Sequence, residues 1–173
     1  KINKMFKISR GGSAKDFYKD SLHVSNYMRH VITEKKQSVW IAQRNGRTKD
    51  GDDKTELGVL KMFSLSSDKP FVENLKQINI LPISISYEYE PCDFLKTMEI
   101  YISNYQKYIK EQGEDLRSII TGIMQPKGQI HISITKPITE QELEYCDSFE
   151  KNNKFAHLGK IIDYRILNNY KLY

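Results

Sequence analysis

No apolar run in these 173 residues approaches the roughly 20 needed to span a bilayer, and the start shows no charged, apolar and small-residue succession of the kind that marks a leader. Only two cysteines are present, Cys92 and Cys146, without metal-ligand spacing. That excludes a disulfide scaffold and a structural zinc site, and fits reduced thiols in a cytoplasmic compartment. Phosphate-binding glycine loops of the P-loop kind, nucleophile-elbow serines, internal repeats and low-complexity tracts are all missing. Glycine and proline are sparse, 9 and 5 in number, so the chain is neither collagen-like nor a linker. What remains is an ordinary globular composition, 39% hydrophobic and 28% charged, in a length that suits one domain with a substantial core.

Charge is the first positive feature. Residues 1 to 51 hold 12 Lys/Arg against 4 Asp/Glu, while the rest holds 15 against 18, so the whole basic excess lies in front. An anionic partner near the first third follows, be it a phosphorylated substrate, an anionic membrane surface or nucleic acid. A nucleic-acid interface would need a cationic stripe interleaved with accessible aromatics, whereas these cations gather at strand ends, so nucleic acid is set aside.

Hydrophobic periodicity divides the chain into alternating elements. Met5 to Arg10 reads as a strand ending at Gly11-Gly12, and Ser13 as the cap of a helix from Ala14 to Lys35 with a stripe of Ala14, Phe17, Val24, Met28 and Val31. Ser38 to Gln43, with Val39, Trp40 and Ile41 in an unbroken run, reads as a strand buried on both faces. A polar loop, Arg44 to Asp53, leads to helices at about 56–63 and 71–77, and Ile80 to Tyr89 is the clearest strand. Helices follow over Asp93 to Lys110 and Glu114 to Met124, then a strand over Gly128 to Ile138 and two closing helices, Glu140 to Glu150 and Phe155 to Tyr170. The alternation predicts an α/β fold: a mixed, largely parallel central sheet flanked by helices, over 1–173 as a single domain. Lys1 stands where a methionine would open a complete chain and a strand follows at once, so the domain reads as N-terminally incomplete.

In such a sheet the loops beyond strand ends are the usual ligand sites. Arg10-Gly11-Gly12-Ser13 places a guanidinium, two flexible residues and a helix N-terminus together, which is phosphate-binding chemistry, although a plain strand-to-helix turn has the same composition. Arg44-Asn45-Gly46-Arg47-Thr48-Lys49-Asp50-Gly51 packs three cations and two glycines into one loop. Parallel neighbours would bring both loops to the same edge. His23, His30, His131 and His157 have no ligand set at metal spacing, so no metal is expected, and Tyr101, Tyr105 and Tyr108 at helical spacing read as a packing face.

On these residues the sequence resembles the glycerol-3-phosphate and lysophosphatidic acid acyltransferase family. Phe6 to Arg10 is similar to its second conserved block, Trp40 to Lys49 to its third, and Ile80 to Ser84, with Pro82, to its fourth. The order, spacing and strand placement of the blocks agree over most of the chain. The resemblance implies transfer of a fatty acyl group from acyl-CoA or acyl carrier protein, as co-substrate, to a glycerol-phosphate or lysophospholipid acceptor in phospholipid synthesis, with no further cofactor. It implies that Arg10 and Arg47 bind the acceptor phosphate, that Gly11 and Gly46 give the backbone room, and that Arg44, Asn45 and Lys49 assist. Asn45 departs from the family pattern by occupying the position of a glutamate. The family's base lies in a His-x-x-x-x-Asp motif ahead of the second block; the fifth residues after the four histidines here are Met28, Lys35, Lys136 and Ile162, so no catalytic residue is expected in this chain, and the fragment alone should be inactive. A membrane surface on its cytoplasmic side is the expected location, reached through the missing part or a surface helix. The rival reading is a non-catalytic module that binds anionic lipid or phosphate.

Overall fold

The computed structural model describes residues 13–44, 49 and 51–173. They form α1 (Ala14–Thr33), α2 (Leu57–Ser64), α3 (Phe71–Ile78), β1 (Ile83–Tyr87), α4 (Asp93–Ser103), α5 (Glu114–Met124), β2 (Ile130–Ile134), α6 (Glu140–Asp147) and α7 (Asn152–Leu167). The chain divides into two compact units. The described residues of Lys1–Asn45, Lys54–Pro82 and Lys136–Tyr164 make the first, and those of Gly46–Asp53, Ile83–Thr135 and Arg165–Tyr173 the second.

The first unit is helical. α1 starts at Ser13, whose Oγ accepts from Asp16 N–H while Asp16 accepts from Ser13 N–H, a reciprocal cap that satisfies two donors the helix itself cannot. Hydrogen bonding to Ser13 also holds the Asp16 carboxyl below its usual pKa. Thr139 and Glu142 repeat the device at α6. Val24 and Met28 of α1 meet a core that includes Leu60, Phe63, Leu75, Leu143 and Leu158, while Phe17 from the same predicted stripe stays 65% exposed. Arg29 ties α1 to its neighbours: Nε donates to Ser66 Oγ (2.8 Å), Nη1 to Gln77 Oε1 (3.0 Å), and Nη2 to Phe63 O (3.1 Å) and to Asn74 Oδ1. Every acceptor there is neutral, and burial lowers the arginine's pKa. Thr55 N–H donates to Asp163 Oδ1 (2.9 Å), fixing the entry to α2 against α7.

The second unit holds a two-stranded ribbon and two helices. β1 pairs with β2 antiparallel, with Ile83 opposite Ile134, Ile85 opposite Ile132 and Tyr87 opposite Ile130. These six residues share one face, since side chains alternate along a strand. Ser84, Ser86, His131 and Ser133 make the other. Ser133 Oγ donates to Asn169 Oδ1 (2.9 Å), and Ser86 Oγ accepts from Lys171 N–H (3.1 Å), so the serine face is the one that carries the C-terminal residues.

The expected mixed, largely parallel central sheet is therefore corrected. Helix makes up 53% of the structure, and the sheet is one small antiparallel pair. The reversal has a plain cause. Two helices, not one, separate the strands, and an even number of helical passes returns the chain to the end it left, which produces antiparallel pairing. Val39-Trp40-Ile41 belongs to no strand, and Trp40 is 74% exposed instead of buried on both faces. The predicted strand from Met5 to Arg10 lies outside the described residues.

Candidate functional site

Of the residues singled out in the two basic loops, Arg10, Gly11, Asn45, Gly46 and Arg47 lie outside the described residues. Arg44 belongs to the first unit and Lys49 to the second. Lys49 forms an ion pair with Glu99 of α4 and lines a cleft of about 450 Å³ between α4, α5 and the segment joining them. That volume falls within the range of about 300–1,000 Å³ usual for small-molecule sites.

The cleft is built from a helical hairpin that touches at one end. Cys92, the residue before α4, is buried and its Sγ donates to Ser118 O of α5 (3.4 Å). Toward the other end lies the cleft. Leu95, Met98 and Ile102, spaced three and four apart, put one apolar face of α4 along it, and Ile109 adds to it from the connecting segment. α4 stops at Ser103 instead of the expected Lys110, because the N–H groups of Asn104, Tyr105 and Gln106 fold back onto carbonyls of Ile100 to Ile102 and turn the chain. The cleft exists because of that early stop. Tyr101 and Tyr105 do associate, with ring centroids 5.2 Å apart, but at 60% and 77% exposure they pack against no core.

Polar groups ring the apolar lining. Gly113 enters α5 at φ +83°, a conformation that favours glycine. Glu114 Oε2 accepts from Glu111 N–H (3.1 Å), and the Glu114 carboxylate also takes the Tyr108 hydroxyl. That bond, then burial, then the negative charges of Glu114, Glu99 and Glu111 push the Tyr108 phenol up to about 12. Lys96 pairs with Glu90 (3.0 Å) and Lys110 with Asp115 (2.7 Å). Lys107 and Arg117 also line the cleft, and neither side chain has a hydrogen-bond or ion-pair partner among the described residues.

Tyr108 stays protonated far above neutrality, Cys92 is sealed against Ser118, and none of the four histidines is hydrogen-bonded to a carboxylate among the described residues. His23 and His30 are exposed on α1, and His157 stacks on Phe149 with centroids 3.7 Å apart. Among the described residues there is no group of three metal-ligating side chains, and no helix is long and apolar enough to cross a membrane. The sequence had marked Lys49 through its basic loop. It did not mark Leu95, Met98 and Ile102, whose spacing is that of any helix stripe; the nearest signal was Gly113, which separates the two helices. Comparison of the chain with protein-family models, curated proteins and solved structures finds no match.

Proposed function

We propose that this chain is the acceptor-binding part of a glycerolipid acyltransferase, which moves a fatty acyl group from acyl-CoA or acyl carrier protein to a glycerol-phosphate or lysophospholipid acceptor. The observation that carries the reading is the run from Trp40 to Lys49, with Gly46 and Arg47 in the places of the glycine and arginine of the family's third block. Lys49, the end of that run, lines a cleft with an apolar floor, which is compatible with a substrate that has both charge and hydrocarbon. In this reading Arg10 and Arg47 hold the acceptor phosphate through charge-assisted hydrogen bonds, and work is done at the cytoplasmic surface of a membrane.

No His-x-x-x-x-Asp motif occurs in the sequence, so the base that removes the acceptor proton has to come from outside these residues. The absence of a base in the cleft favours a second reading, a module that binds anionic lipid or phosphate without turnover. Acyl transfer from labelled acyl-CoA and acyl carrier protein to glycerol-3-phosphate and lysophosphatidic acid separates the two. It is to be measured for this chain and for a longer polypeptide containing it with a His-x-x-x-x-Asp segment. Turnover by the longer polypeptide alone, reduced in its Arg47→Ala variant by about tenfold or more, is the expected result. Binding of phosphate lipid with no turnover in either would remove the acyltransferase reading and leave the module.

A further inference from the structure

We propose that the cleft between α4 and α5 holds the hydrocarbon tail of a single-chain amphiphile whose anionic head lies against Lys107 and Arg117. The inference deepens the function proposed above by naming what the ligand carries, and its test needs no turnover.

Three observations carry it. The floor is aliphatic: Leu95, Met98 and Ile102 form one stripe of α4, extending about 10 Å along the helix, and Ile109 adds a fourth apolar side chain from the connecting segment. A sugar or a free phosphate would leave that stripe wet, whereas a chain of methylenes removes it from water. Met98 suits a lining that has to follow a flexible tail, because its thioether side chain repacks easily.

The second observation is which charges are spent. Lys49 and Glu99 neutralise each other, and Glu114 already accepts from Tyr108 and from the Glu111 backbone. That leaves the side chains of Lys107 and Arg117 with no partner among the described residues, beside the carboxylates of Glu111 and Glu114, with which neither forms an ion pair. A neutral amphiphile would gain nothing from the two cations; an anionic head pairs with them, and a guanidinium can offer two parallel donors to a phosphate or carboxylate. The third is the absence of machinery for a nucleotide, which needs a glycine-rich phosphate cradle or a stacking platform. The lining contributes one tyrosine ring, already fixed by its hydroxyl to Glu114.

The test is binding of alkyl phosphates of eight to fourteen carbons, as monomers, to this chain by isothermal titration calorimetry. Inorganic phosphate alone and vesicles of phosphatidylcholine with phosphatidic acid serve as the other two arms. Affinity should rise about fourfold per methylene and level off once the cleft is full. Arg117→Gln should weaken the octyl to tetradecyl series by about tenfold at every length, and Ile102→Asn should flatten the dependence on length. Circular dichroism of each variant checks folding, and Arg117 is exposed enough that its substitution leaves the fold intact.

Binding that ignores chain length, saturation by inorganic phosphate alone, association with vesicles only, or an unchanged series in folded Ile102→Asn and Arg117→Gln would each overturn the proposal. Tail binding here without turnover by any longer polypeptide would uphold the cleft and remove the acyltransferase; turnover without tail binding would do the reverse.

Discussion

The two units spend their apolar residues in opposite ways. In the first, leucines at 60, 75, 143 and 158 are almost wholly inaccessible, and five helices share them. In the second, the ribbon turns Ile85, Tyr87, Ile130, Ile132 and Ile134 outward at 40% to 68% exposure and presses its serines inward. Ser84 Oγ is even buried without a partner. α5 follows suit, with Leu116, Ile119, Ile120, Ile123 and Met124 all at least half exposed on one side. A sheet with one apolar face is stable when something covers that face, and a two-stranded ribbon is marginal by itself. The lesson is that a strand's alternation states which side wants to be covered; it does not supply the cover.

The largest expected effect breaks the comparison at its strongest point. Leu158→Ala in the first unit removes a fully buried side chain, and should cost about 2–5 kcal/mol of unfolding free energy in urea titration. Ile132→Ala in the second removes a side chain that is 60% exposed, and should change stability by no more than about 0.5 kcal/mol. Comparable losses would mean that the ribbon face is covered in solution.

A smaller effect sharpens the same contrast at the helix starts. Thr139→Ala deletes one half of the α6 capping box and should lower stability by about 1 kcal/mol, read by the same titration. Neither α4 nor α5 has a side-chain cap to lose.

The smallest effect is one of pH. The folded Tyr108 phenol has a pKa raised to about 12, above its unfolded value, so the bond to Glu114 contributes fully below about pH 10 and is lost as pH rises through 12. Phenolate absorbance should show a component titrating near 12, and Tyr108→Phe should remove it; a component that persists in the variant belongs to another tyrosine.

Much of the helical order was legible. α5 has the predicted bounds, and α2 and α3 differ from expectation by a residue at most, because short amphipathic runs between polar turns admit little else. Ser13 was legible as a cap for the same local reason. Strand pairing was not. Ile83, Ile85 and Tyr87 announced a strand, but its neighbour and their relative direction depend on how α4 and α5 return the chain, which is a non-local matter. Val39-Trp40-Ile41 failed as a buried strand because three apolar residues fix no partner. At the site, Lys49 could be read from its charged loop, while Arg117 and Lys107 could not: whether a cation's side chain is paired depends on which carboxylates the fold brings to it.

The placement of the two cysteines has a practical consequence. Each unit contains one, Cys146 in the first and Cys92 in the second, and both are free and buried. Burial, with the nearby Glu142 charge, raises the Cys146 thiol to about 11, so little thiolate forms while it is enclosed. Thiol alkylation followed by mass spectrometry of the two peptides therefore works as a pair of built-in clocks, one per unit, timing how often each half of the molecule opens to solvent.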